Sequence, residues 1–174
     1  YRCHRKGRGA NEGFAEDYAY LIAGLIDLYE ATFDVRWLQW AERLQDMMDA
    51  LFWDETEGGY LNSRAGDASI VLRLKEDYDG AEPSPNSVAA ANLLRLALIF
   101  HDDAIRSRAR RTIDALRHQW TKMPQALPEM LCAIERALDA VRSSGGGREG
   151  YLTPQGSKLD HRKVMEFSRE GSIT

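Results

Sequence analysis

Leu74-Lys75-Glu76-Asp77-Tyr78-Asp79-Gly80-Ala81-Glu82-Pro83-Ser84-Pro85-Asn86-Ser87 is the stretch that decides the fold. Glu76, Asp77, Asp79 and Glu82 fall within seven positions, where Gly80, Pro83 and Pro85 forbid a helix. The segment then leads into a helix start. Ser84 has the side chain of an N-cap, Pro85 suits the first helical position, and Val88 to Phe100 is apolar enough to be buried. The loop therefore sets carboxylates at the positive end of a buried helix, where they serve either as a binding site or as a capped turn with solvated charges.

Outward from this helix the chain reads as further helices. From Glu16, Tyr18, Ile22, Leu25, Leu28 and Tyr29 share one broad face, widened by Leu21 and Ile26. That helix stops near Phe33-Asp34. A second starts near Val35 and carries Trp37, Trp40, Ala41, Leu44, Met48, Leu51 and Phe52. So short a connection predicts an antiparallel hairpin. Gly58-Gly59, between Trp53 and Tyr60, predicts a tight turn within a small β-hairpin, and Ile70 to Leu74 a further short strand. After Phe100, one helix is expected from about Ala104 to Lys122, with Arg106, Arg108, Arg110 and Arg111 solvating its outer face. Pro124 and Pro128 break the chain, and a last helix runs from Pro128 to Val141. Trp37, Trp40 and Trp53 are expected in the hairpin core, and Cys132, among Met130, Leu131, Ala133 and Ile134, as a small core residue.

The helices repeat. An offset of 68 aligns Ala23 with Ala91, Leu25 with Leu93, Ile26 with Leu94 and Leu28 with Leu96, then Trp37 with Ile105, Ala41 with Ala109 and Met48 with Leu116. A hairpin, a long loop and a second hairpin is the pattern of a repeat architecture, in which each unit buries its face against neighbours. The expected organisation is a poorly structured segment over 1–12, an all-α body of tandem hairpins over 13–141, and a flexible or non-family tail over 142–174 that contains Gly145-Gly146-Gly147.

Composition narrows the function. The 174 residues are 44% hydrophobic and 29% charged, which is globular, and a net charge of −4 disfavours nucleic acid as a partner. No apolar run approaches the ~20 residues that span a bilayer. The basic opening Tyr1-Arg2-Cys3-His4-Arg5-Lys6 resembles no secretory signal, and the absence of an initial Met predicts a piece of a longer protein. Cys3 and Cys132 form no Cys-x-x-Cys pair, which suits the reducing cytoplasm. Cys3-His4 has no second pair to complete a metal site, so neither metal nor cofactor is expected.

Phe14-Ala15-Glu16-Asp17-Tyr18-Ala19-Tyr20-Leu21-Ile22-Ala23-Gly24-Leu25, Glu30-Ala31-Thr32-Phe33, Leu51-Phe52-Trp53-Asp54, Gly58-Gly59-Tyr60 and the acidic loop together resemble the thioredoxin-domain-containing YyaL / spermatogenesis-associated protein 20 family over about residues 13 to 140. The resemblance implies the C-terminal helical part of a longer protein, a partial six-hairpin (α/α) toroid like that of glycosidases and sugar epimerases. It also implies partners in cis: an N-terminal thioredoxin-like domain and the remaining hairpins.

In such toroids the loops of one rim line the pocket, which implies a carbohydrate ligand. Asp17, Asp77 and Asp79 are then the candidate catalytic carboxylates, since a pair ~5–10 Å apart can cleave a glycosidic bond. Glu16, Tyr18, Tyr60, Tyr78, Glu82 and Asn86 are candidate substrate-binding residues. The competing expectation is structural. Glu16 and Asp17 cap a helix, Asp77 and Asp79 accept backbone N–H bonds, Glu82 pairs with Lys75 or Arg73, Asn86 bonds backbone, and Tyr18 and Tyr60 pack. Epimerase chemistry fits less well, because His101 falls at the far end of its helix. The alternative to a carbohydrate-active domain is a non-catalytic helical scaffold.

Overall fold

The computed structural model describes residues 13–65, 70 and 72–144, with the side chains beyond 138 excepted. The segment 1–12, with Cys3 and His4, and the tail 145–174 lie outside these residues. Helices α1 (Ala15–Thr32) and α2 (Val35–Phe52) form the first hairpin, and α3 (Pro85–Phe100) and α4 (Asp103–Ala115) the second. A short α5 (Arg117–Lys122), a 3₁₀ turn (Pro124–Ala126) and α6 (Pro128–Ser144) follow. The architecture is all-α, as expected from the apolar spacing.

The 68-residue repeat extends to the backbone. Helix α1 ends on Phe33 and α3 on His101, and both are left-handed, at φ 55° and 53°. Each is followed by an aspartate N-cap: Asp34 accepts from the Arg36 amide at 3.0 Å, and Asp102 from the Ala104 and Ile105 amides at 2.7 and 3.0 Å. A non-glycine residue in this region is strained. Finding it twice at one offset shows that the two hairpins reverse direction by the same device.

The first helices of the units run parallel. The Tyr20 hydroxyl donates to the Pro83 carbonyl at 2.7 Å, just ahead of α3. Further along, the Asn92 amide donates to the Ala19 carbonyl at 2.8 Å, and Arg95 pairs with Asp27 and Glu30 at 2.6 and 2.9 Å. From Asn92 to Arg95 on α3 the partners on α1 move from Ala19 to Asp27 and Glu30, so the two helices run in the same sense. Helix α6 packs on α3 through Met130, Ala133 and Ile134 against Ala90, Ala91 and Leu94, with its start at the same end. The larger core joins Ile22, Ile26, Leu38, Met48 and Phe52 of the first hairpin to Val88, Leu93 and Leu96 of α3. Each such side chain contributes about 1.5–3 kcal/mol when fully buried.

Several expectations are corrected. The β-hairpin shrinks to one antiparallel bridge between Trp53 and Tyr60, and no strand forms among the described residues of 70–74. The reason is that Asp54 folds the chain back at once: its amide donates to Gly59 O and its own carbonyl accepts from the Gly58 amide, both at 2.9 Å. The helix expected over 104–122 breaks at Leu116, because the Trp120 indole takes the Ile113 carbonyl at 3.0 Å and Leu116 turns into the smaller core. The last helix runs three residues past Val141. Trp40 is exposed, Trp37 and Trp53 only flank the core, and Cys132 is an exposed free thiol.

The Gly58-Gly59 turn depends on its glycines. Both have positive φ, 80° and 74°, and a Cβ on Gly58 would lie 2.8 Å from the Arg111 carbonyl oxygen. Gly58→Ala is expected to cost about 2 kcal/mol, read as a lower urea midpoint at unchanged slope.

Candidate functional site

Because α1, α3 and α6 run parallel, their N-terminal ends share one rim, and the acidic loop lies across it. Every one of these ends is served by groups from outside its own helix. The Ala15 amide of α1 donates to the Asn62 carbonyl at 3.0 Å. Asn62 is itself tied to Leu74, accepting from the Leu74 amide at 3.1 Å and donating its own amide to the Leu74 carbonyl at 2.7 Å. Asp17, in the first turn, accepts from the Phe14 amide at 2.8 Å.

Asp79 is the centre of the rim. One carboxylate oxygen accepts from the Ser84 amide at 2.7 Å, and the other from the Glu129 and Met130 amides at 2.9 and 3.4 Å. Its own amide donates to the Ala126 carbonyl at 2.7 Å. One side chain therefore caps α6 from fifty positions away and stiffens the entry to α3. The Ser84 hydroxyl accepts from the Ser87 amide at 3.2 Å, as an N-cap should.

Asn86 is wholly buried and behaves as a piece of backbone. Its oxygen accepts from the Tyr60 amide at 2.7 Å, and its nitrogen donates to the Tyr60 carbonyl at 2.9 Å and to the Glu76 carbonyl at 3.3 Å. A Cβ on Gly59 would lie 3.0 Å from the same oxygen, so the glycine gives Asn86 room to approach.

Tyr60 has no surface, and its hydroxyl faces away from the rim. It donates to Asp49 at 2.6 Å and accepts from Gln45 at 3.0 Å. Asp49 in turn pairs with Arg108 of α4. Burial raises the Asp49 carboxyl above its ordinary value, although Tyr60, Gln45 and Arg108 pull it down. Burial also drives the Tyr60 phenol well up, aided by the Asp49 charge. Tyr18 packs edge-on against Phe52, ring centres 5.4 Å apart, and Glu16 is half-buried in the first turn of α1.

The solvent-exposed part of the loop centres on Tyr78. Tyr78 is 63% exposed, and Asp77 and Glu82 are exposed beside it. Glu82 does not take Lys75 or Arg73. Lys75 binds Asp54 and Glu57 at 2.9 and 3.3 Å, while Arg73 donates to the Ser63 and Leu51 carbonyls at 2.6 and 3.3 Å. Tyr20 lies in the acidic field: burial raises its phenol, followed by the charges of Glu82, Asp79, Glu129 and Glu76. His101 ends α3 at the opposite end from the rim. Among the described residues no three His, Cys, Asp or Glu side chains are placed to hold a metal ion.

Sequence reasoning did not find the roles of Asn62, Asp49, Arg108 and Arg111. The arginines were expected to solvate an outer face. Instead Arg108 and Arg111 lie over the Trp53 ring, 5.4 and 4.9 Å from its centre, and Arg111 donates to the Glu55 carbonyl at 2.7 Å. The only local signal is a cluster of arginines at 106, 108, 110 and 111 of a polar helix, which does not separate stacked from solvated.

No family model matches the chain. Relatives are nevertheless clear. The chain is 50% identical to rat spermatogenesis-associated protein 20 over 124 residues, covering 70% of itself and 16% of the rat protein, and the human protein of that name gives the same figures. An uncharacterized protein of Caenorhabditis elegans is 36% identical over 131 residues, 75% of this chain and 18% of the worm protein. The chain thus spans only 16% of the length of the mammalian relatives. Identity at this level over 124 residues places this stretch in the spermatogenesis-associated protein 20 family.

Proposed function

We propose that this stretch is a non-catalytic helical scaffold within a longer protein, and that its acidic loop is the clamp that locks successive hairpins in register. The observation that carries this reading is the Asp79 carboxylate, 8% exposed, with both oxygens on backbone amides of two different helix entries. A carboxylate so held is a fixed acceptor. A general acid needs a proton to give, and a nucleophile needs a free lone pair facing a substrate. Asn86 and Tyr60, spent on each other's polar groups, fit the same reading. In this picture the hairpins are an arc of an (α/α) toroid, and the partners are covalent: further hairpins and a thioredoxin-like domain of the same protein, in the cytoplasm, where an exposed free thiol such as Cys132 persists reduced.

Carbohydrate binding at the rim is the second reading, favoured by the exposed ring of Tyr78 between exposed Asp77 and Glu82. A flat ring beside carboxylates suits the apolar face and hydroxyls of a sugar. The two readings separate on a glycan array probed with the chain and with Tyr78→Ala. The scaffold reading expects no glycan retained by either protein. Retention by the chain that is lost in Tyr78→Ala would establish a sugar site and replace it.

A further inference from the structure

Helix α1 carries an apolar stripe that none of the described residues covers. Leu21 and Leu28, seven residues apart, are 55% and 43% exposed. Gly24 lies between them, and a Cβ there would meet no atom within 4 Å. The repeat says what such a stripe is for. Phe33 and His101, equivalent residues, differ by 68, and adding 68 to 21, 24 and 28 gives Ala89, Asn92 and Leu96. On α3 these are the residues that meet α1. Ala89 and Leu96 are 0% and 1% exposed in the core shared with Ile22 and Ile26, and Asn92 reaches the Ala19 carbonyl. The same helix face is therefore buried in the second unit and open in the first.

We propose that the Leu21–Gly24–Leu28 face of α1 seats the first helix of a preceding hairpin, parallel to α1, as α1 itself is seated on α3. The proposal rests on the scaffold reading and gives it a surface and an orientation. The occupant is apolar. Gly24 stands where Asn92 supplies a hydrogen bond, so this contact is made by close packing alone, and the missing side chain lets the two axes approach. Its source is the longer polypeptide: the match covers 16% of the human relative, which leaves sequence for further units. A second copy of the chain is the rival occupant. It would have to lay another surface, such as the exposed Leu131 and Leu138 of α6, on this stripe, a head-to-tail contact that builds rings or filaments.

The test uses, as probe, the segment of human spermatogenesis-associated protein 20 that immediately precedes the matched residues, co-purified with this chain. Three chains are compared: wild type, Leu21→Asp with Leu28→Asp, and Gly24→Trp. The expected result is capture of the segment by the wild type and loss of capture by both variants. Each variant alone melts at the wild-type temperature, because no described residue packs on this face. Failure of the segment to bind, capture undiminished by the aspartates, or variants that unfold alone would each overturn the proposal. So would wild-type self-association that the aspartates abolish, since the occupant is then a second copy. The underlying scaffold reading fails differently, by a stability that does not respond to Asp79, so the two failures are distinguishable.

Discussion

Asp79→Ala is expected to lower the unfolding free energy by about 3 kcal/mol, and the melting temperature by roughly 10 °C. The carboxylate holds the Ser84, Glu129 and Met130 amides, and alanine leaves these donors without an acceptor in a site that admits little water. A buried amide left unsatisfied costs about 1–3 kcal/mol, so three of them at the low end of that range come to about 3. Asp79→Asn keeps one oxygen and should lose about half as much. Asp77→Ala, two positions away on an exposed side chain, should change stability by no more than about 0.5 kcal/mol. Differential scanning calorimetry of the three variants checks this. Equal melting temperatures for Asp79→Ala and Asp77→Ala would show that the loop merely carries solvated charge.

The second large effect is expected at Asn86. Its side chain is wholly buried and makes three hydrogen bonds to the backbone of Tyr60 and Glu76. Asn86→Ala strands the amide and carbonyl of Tyr60 and leaves a small cavity, for a loss of about 3–4 kcal/mol. Asn86→Asp keeps the shape and one acceptor, but turns a carboxylate oxygen toward two carbonyls in a dry site. It should be at least as damaging as the alanine, because a buried charge facing acceptors has no compensation. Denaturant unfolding of both variants reads the order directly. An aspartate as stable as wild type would mean that water reaches the site and that the pairing with Tyr60 contributes little.

What was legible in the sequence was local. Ser84 and Pro85 announce the start of α3 because capping is decided within three residues, and the structure puts both where expected. The apolar spacing of α1 and α2 and the two-residue gap between them gave the hairpin. The 68-residue offset was visible in the apolar positions, although its strongest signature was not: Phe33 and His101 both take a left-handed backbone, which Phe does not advertise and His only weakly favours. The clamp was half legible. Four acids before a helix pointed to a special loop, but the partners of Asp79 at 129 and 130 are fifty residues away, and no local pattern couples them. Trp53 and Arg111 failed for the same reason: a stacked guanidinium and a solvated one have the same sequence neighbours. Apolar neighbours point Cys132 to the core, and helical spacing points Trp40 there, yet both side chains are exposed.

Amide hydrogen exchange at Ser84, Glu129 and Met130, in the wild type and in Asp79→Ala, tests the clamp most directly. The geometry predicts that all three amides are protected in the wild type and that the variant releases Glu129 and Met130 of α6 together with Ser84 at the entry to α3. Wild-type amides that exchange freely, or protection untouched by the substitution, would mean that Asp79 does not bind the hairpins together.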